Sequence, residues 1–148
     1  MLQLNFMRLP HSRGLEAPAY ASAGASGLDL RACLESPVTI AAGASALVPT
    51  GFAVEIPQGY EGQVRPRSGL ALKSRVMVVN SPGTIDCDYR GELKIILGNF
   101  GAEPFTIAHG DRIAQLCICP VARCDVREVK ELSSSDRAAG GFGSTGKA

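Results

Sequence analysis

The sequence predicts an all-β domain with one short helix, and three observations carry that reading. Glycine (17) and proline (9) together outnumber phenylalanine (5) and tyrosine (3) by more than three to one, and they interrupt short apolar runs at close intervals. No alternation of strand and helix patterns occurs, which excludes a doubly wound nucleotide-binding sheet. Only 67–74, reading RSGLALKS, has strong helix formers at its centre, and its length limits it to about two turns.

Taken in chain order, strands are expected over 2–7, 27–32, 37–40, 46–55, 61–64, 76–80, 93–99, 105–107, 111–119 and 126–129. The first lies in an N-terminal stretch that alternates polar and apolar residues. The third ends at the turn formers Ala41, Ala42 and Gly43, the fourth at Ile56, Pro57, Gln58 and Gly59, and the sixth at Ser81, Pro82 and Gly83. Residues 93–97 and 113–120 are apolar at nearly every position, as expected of strands covered on both faces, whether inside one chain or at a subunit interface. These elements make one β-sandwich domain over 1–132. The remainder, 133–148, is rich in Gly and Ser and reads as a flexible tail, with Phe142 the one residue that reading leaves unexplained.

Composition narrows the function. A chain of 148 residues, 45% hydrophobic and 20% charged, builds its core without disulfides or a structural metal. A net charge of +1 without a sustained basic run gives no footprint for nucleic acid. No apolar run approaches the roughly 20 residues needed to cross a bilayer, and the N-terminus lacks a signal-peptide core, so a soluble, cytoplasmic protein without membrane contact is expected. The five cysteines form no CxxC pair, and with only His11 and His109 available no zinc-ligand spacing appears; they read as small buried thiols in a reducing compartment.

Three segments carry candidate chemistry. Val64 to Leu70 sets two guanidiniums, a hydroxyl and a glycine where an extended run turns into the helix; this is either an anion cradle or an ordinary helix start capped by Ser68. Asn80 to Gly91 reads as a tight β-hairpin bearing Asp86, Asp88 and Tyr89, either a solvated turn or a pair of carboxylates able to accept a proton or hold a hydrated Mg²⁺. Gly141 to Lys147 has the spacing of a Walker A loop, but Ala148 stands where Ser or Thr is required and no helix follows, so that reading fails. A glycine strip ending in Gly143, Ser144, Thr145 and Gly146 remains suited to folding over a phosphate. Cys87 as a nucleophile is disfavoured, because the flanking carboxylates raise its pKa and no base is placed beside it.

In order, AGASGLDLRA around Asp29, RPRSGLA from Arg65, NSPGTIDCDYRGEL from Asn80, GDRIAQL from Gly110 and RAAGGFGSTG from Arg137 resemble the five motifs of the trimeric dUTPases, and together they span nearly the whole chain. The resemblance implies a jelly-roll-like β-sandwich assembled as a homotrimer with shared active sites. It further implies hydrolysis of dUTP to dUMP and pyrophosphate with Mg²⁺. By motif, Asp86 would orient the attacking water; Asn80 with the backbone of Gly83, Thr84 and Ile85 would read the uracil; Tyr89 would pack under the deoxyribose. Asp29 would hold the metal through its bound water. Arg67, Ser68, Gly69, Lys94 and Gln115 would serve the substrate, chiefly its phosphates. In the tail, Arg137, Gly143, Ser144 and Thr145 would meet the terminal phosphate and Phe142 would stack on the uracil, making 133–148 a lid. Cys87, Gly98 and Ala139 depart from the family's common pattern, and Gly98 implies altered packing of its strand.

Two rivals bear on the same segments. A dCTP deaminase shares the fold and needs a further carboxylate on the strand after the hairpin, where 93–97 carries only Lys94 as a charge. A non-catalytic jelly-roll module accounts for the strands but not for Asp86, Tyr89 and Phe142.

Overall fold

The computed structural model describes residues 2–12, 14–135 and 138–140. Its elements in chain order are β1 (Asn5–Arg8), β2 (Ala19–Tyr20), β3 (Leu28–Arg31), β4 (Val38–Ile40), β5 (Ser45–Glu55), β6 (Tyr60–Arg65), α1 (Ser68–Ser74), β7 (Val76–Val78), β8 (Gly83–Ile85), β9 (Glu92–Asn99), β10 (Phe105–Ile107) and β11 (Arg112–Pro120). They form a four-stranded sheet in the order β1-β5-β9-β7 and a five-stranded sheet in the order β2-β3-β11-β6-β8, with β4 and β10 paired beside them. Every pairing is antiparallel.

The sandwich follows from strand parity. Side chains alternate across a strand, so Leu28 and Leu30 of β3 enter the core while Asp29 and Arg31 face outward. Leu93, Ile95 and Leu97 of β9 meet them from the other sheet, as do Val48 of β5 and Val76 and Val78 of β7. Each of these leucines and isoleucines contributes about 1.5–3 kcal/mol by leaving water. Among the described residues no helix is long and apolar enough to cross a membrane.

The structure departs from the sequence expectations at several points. No strand forms over 126–129: β11 already has β3 and β6 on its two sides, and Val126 is 91% exposed on a chain that has left both sheets. The two- and three-residue strands β2 and β8 are too short to show a period and were not expected. Residues 80–91 are not a two-stranded hairpin, because β8 joins the edge of β6 while β7 and β9 pair in the opposite sheet. Within one chain, residues 93–97 are covered on one face, with Lys94 and Ile96 outward, which leaves the second face for the subunit interface the sequence also allowed. Arg67, in extended conformation, is the residue before α1, and no side chain caps the helix; Ser68 is its first turn. Cys33 and Cys117 are buried, whereas Cys124 is exposed. At Gly98 a Cβ would lie 2.8 Å from Val79 Cγ2 and 2.9 Å from the Phe100 ring, which together close over it.

The pairing of β5 with β9 breaks register between Pro49 and Ala53, and Gly51 sits at the break with φ +76°. Its carbonyl accepts from Leu9 N at 2.9 Å, drawing the turn after β1 so close that a Cβ on residue 51 would lie 2.4 Å from Ser12 Cβ and 3.0 Å from Cys33 Sγ. Burial, followed by the nearby Glu92 carboxylate, pushes the Cys33 thiol above its ordinary pKa. Gly51→Ala therefore combines left-handed backbone strain with overpacking, and we expect a loss of about 2 kcal/mol or more of unfolding free energy, read by urea denaturation. An unchanged midpoint would show that the turn after β1 yields freely.

Candidate functional site

Three strands of the five-stranded sheet align the first group of residues. The register sets Gln115 of β11 beside Asp29 of β3 on one side and beside Arg65 of β6 on the other. All three face outward, because Leu28, Leu30, Leu116 and Val64 occupy the core. The Gln115 amide donates to Pro66 O at 2.9 Å. Its side chain fits only because residue 27 is glycine: a Cβ there would meet Gln115 Oε1 at 2.5 Å.

Asp29 sits between two guanidiniums. Arg67 Nε lies 3.2 Å from its Oδ1 and Arg112 Nη1 lies 3.1 Å from its Oδ2. Arg67 also donates to the carbonyl of Arg112 at 3.1 Å, tying the loop before α1 to the start of β11. A register shift between Arg112 and Ala114 turns Arg112 toward β3. One carboxylate against two guanidiniums leaves the cluster net positive, and all three side chains retain access to water. Beside it opens a groove of about 540 Å³, lined by Arg65, Ser68, Gln115 and the Ser81–Pro82 turn among others. Ser68 and Gly69 are exposed at its edge. Planar guanidinium forks, a hydroxyl and an amide around an open groove suit a chain of phosphate oxygens.

A second group flanks β8, with Asn80 and Gly83 at its start and Asp86 and Tyr89 beyond its end. Gly83 is buried, and a Cβ on it would sit 3.2 Å from Asn80 Nδ2, so the Asn80 amide lies directly over this backbone; Thr84 is exposed and Ile85 half-buried. The Ser81–Pro82 peptide is cis. After β8 the chain turns at Asp86, whose carbonyl accepts from Tyr89 N at 3.1 Å and whose carboxylate is exposed. The Tyr89 hydroxyl donates to Glu92 O at 2.9 Å, folding the ring over Gly91, where a Cβ would lie 2.4 Å from the hydroxyl oxygen. Arg90 Nη1 fixes the same turn by donating to the carbonyls of Cys87 (2.7 Å) and Tyr89 (2.9 Å). Lys94 is on the outward face of β9, 3.8 Å from the Glu92 carboxylate.

The structure thus brings Ser68 and Gln115 to the lining of this groove, with Asp29 and its partner Arg67 beside Gln115, and sets Asp86, Tyr89 and Lys94 apart from them. Asp86 lies beyond the Ile85 partner of Gly62, whereas Asp29 shares the row of Arg65. By strand spacing, their backbone positions are separated by about 13 Å along the strands and about 14 Å across three strand spacings. Arg137, Phe142, Gly143, Ser144 and Thr145 lie outside the described residues. Arg112 was not among the sequence candidates, although GDRIAQL contains it; its partner Asp29 lies on a strand remote in sequence. Among the described residues no group of three or more His, Cys, Asp and Glu side chains is arranged to hold a metal ion. Cys87 has no imidazole for a base: His109 is engaged with Leu34 N at 3.1 Å, and His11 with Glu92 at 2.8 Å.

Comparison with known proteins bears on the family and the fold. The family model described as dUTPase matches residues 14–146. The deoxyuridine 5'-triphosphate nucleotidohydrolase of Rhizobium rhizogenes (strain K84 / ATCC BAA-868) is 57% identical over 145 residues, covering 97% of this chain and 93% of its own length. A solved structure of Staphylococcus bacteriophage 80alpha dUTPase with dUPNHPP superposes with a TM-score of 0.87 at 27% identity, covering 98% of this chain and 99% of that one. A mutant dUTPase from phage phi11 of S. aureus, described with a structural Mg(II) ion, matches with a TM-score of 0.79 at 25% identity over 89% of this chain and 99% of its own.

The charge balance of the groove has a direct test. Asp29→Asn keeps the shape and frees both guanidiniums. In metal-free buffer, calorimetry with inorganic pyrophosphate should then show binding tightened roughly three- to tenfold. Weaker or unchanged binding would mean that Arg67 and Arg112 do not receive the anion.

Proposed function

The chain belongs to the dUTPase family and is a dUTP diphosphatase, and from that premise we propose how its residues carry the reaction. The Asp86 carboxylate orients a water for in-line attack on the α-phosphorus of dUTP. The water oxygen bonds to phosphorus, the bond from the α-phosphorus to the oxygen bridging to the β-phosphate breaks, the proton passes to Asp86, and dUMP and pyrophosphate leave. A positioned carboxylate base contributes about 10²- to 10⁴-fold in rate. The reaction withdraws dUTP from the cytoplasmic nucleotide pool and supplies dUMP for thymidylate synthesis.

The phosphate chain lies in the groove, met by Arg67, Ser68, Gly69 and Gln115. The observation that carries this reading is the row of Asp29, Gln115 and Arg65 with Arg67 clasped to Asp29, an array of donors as long as a triphosphate around a single carboxylate. Hydrated Mg²⁺ fits that donor set, since it takes one or two carboxylates plus substrate phosphates and keeps its remaining waters. Asp29 would hold it through such water, and when bound it supplies charge neutralisation at the phosphates. Asn80 and the backbone of Gly83, Thr84 and Ile85 read the uracil edge, Tyr89 packs under the deoxyribose and leaves no room for a 2′-hydroxyl, and Lys94 serves the substrate from β9.

Asp86 and Asp29 of one chain stand far apart, which supports a site composed from different chains; the resemblance to the trimeric dUTPases makes that assembly a homotrimer with three shared sites. In the tail, Arg137, Gly143, Ser144 and Thr145 close on the terminal phosphate and Phe142 stacks on the uracil. The sequence supports this role for 133–148 through its one aromatic among glycines and its paired hydroxyls.

A nucleotide screen with Mg²⁺ tests the whole assignment: pyrophosphate released from dUTP agrees with it, and ammonia released from dCTP overturns it. Asp86→Asn should lower kcat by 10²- to 10⁴-fold with little change in the affinity for a non-hydrolysable dUTP analogue; full turnover would remove Asp86 from the chemistry. Ending the chain at Asp136 should leave the oligomer folded and nearly inactive, and undiminished turnover would refute closure by the tail.

A further inference from the structure

The turn that carries Tyr89 is anchored from outside the site by a carboxylate that no reading above uses. Glu92 opens β9, and its side chain is only 12% exposed. Its Oε1 accepts two hydrogen bonds, from Gly51 N at 2.8 Å and from His11 Nε2 at 2.8 Å, while Lys94 Nζ stands 3.8 Å from Oε2. The next peptide is held as well, because the buried Thr50 hydroxyl donates to Leu93 O at 2.8 Å. The start of β9 is thus gripped through Glu92 by β5 and by the turn after β1.

His11 reaches Glu92 because the main chain of its own turn is locked by hydrogen bonds. Leu9 N donates to Gly51 O at 2.9 Å, Ser12 N to Leu9 O at 3.0 Å, the Ser12 hydroxyl to Leu9 O at 2.7 Å, Arg8 Nη1 to Ser12 O at 3.0 Å, and the Cys33 thiol to His11 O at 3.4 Å. An ionised carboxylate only accepts, so the bond requires the proton on His11 Nε2. On its other side, Glu92 presents its backbone carbonyl to the Tyr89 hydroxyl at 2.9 Å. Tyr89 itself is 42% exposed, so packing alone does not fix the ring. Its attitude follows the peptide of residue 92.

We propose that Glu92 and His11 form a positioning pair that sets the Tyr89 ring and thereby governs discrimination between deoxyribose and ribose. This rests on the reading of Tyr89 as the residue beneath the sugar. Neither Glu92 nor His11 touches substrate; both act through the carbonyl of residue 92. Removing the carboxylate leaves Gly51 N without its acceptor and releases the strand start that holds the phenol. The ring then yields to a 2′-hydroxyl that it otherwise refuses.

The test is the ratio of kcat/KM for dUTP to that for UTP, measured on the full chain and its Tyr89→Ala, Glu92→Ala, Glu92→Gln and His11→Ala variants and on the Tyr89→Ala/Glu92→Ala double variant. Tyr89→Ala should lower the ratio, and an unchanged ratio there overturns the sugar reading itself. With that effect present, Glu92→Ala should lower the ratio at least tenfold and His11→Ala several-fold. Glu92→Gln, which keeps an acceptor oxygen for both donors, should stay within about threefold of the parent. The double variant should discriminate no worse than Tyr89→Ala alone, because Glu92 then has no ring to position. An unchanged ratio in either Glu92→Ala or His11→Ala, a Glu92→Gln variant as impaired as Glu92→Ala, or additive losses in the double variant each overturns the positioning pair. Should Glu92→Ala fail to fold, His11→Ala, whose imidazole is 46% exposed, carries the same comparison in its own double variant with Tyr89→Ala.

Discussion

Burial of Leu28 and Leu30 beneath the five-stranded sheet forces Asp29 to its outer surface, and the register of β11 and β6 then sets Gln115 and Arg65 in the same row. A slip of one residue in β3 would drive Asp29 into the core and a leucine into the groove. The core and the site are therefore specified by one alternation, and no separate device is needed to aim the carboxylate. Arg67 and Arg112 follow from it, since both approach Asp29 from segments that flank those strands.

That arrangement also explains the electrostatic character of the groove. Asp29 draws two guanidiniums together at hydrogen-bond distance, where they would otherwise repel one another. Because the three side chains keep access to water, their mutual pairing is individually weak, and an anion could compete for the guanidiniums at modest cost. Gly27 matters for a different reason: it leaves the space into which the Gln115 side chain folds, next to that pair.

Much of the architecture was legible in the sequence. The glycine and proline punctuation marked the strands, and Leu28-Asp29-Leu30-Arg31 displayed its alternation openly. What stayed hidden depends on partners remote in the chain. GTI at 83–85 has no periodicity of its own and becomes a strand only because the edge of β6 is open, so the expected hairpin gave way to a segment that changes sheets. Val126 and Val129 have strand-like side chains but no free edge beside β11. The residues around the groove were visible as short motifs, while Arg112 was not singled out, because its meaning lies in Asp29 on another strand. Glu92 and His11 were equally silent, since a carboxylate and an imidazole 81 positions apart carry no shared signature.

The antiparallel pairing of β3 with β11 has a consequence for biosynthesis. The pairing joins Asp29 to Gln115 across a long stretch of sequence, and β6 joins the sheet on the far side of β11. While translation proceeds, β3 has no edge to pair with there and Asp29 has neither Gln115 nor Arg112 nearby. The groove therefore assembles only after β11 has left the ribosome, and the loop closures it demands place the fold among the slower class of topologies.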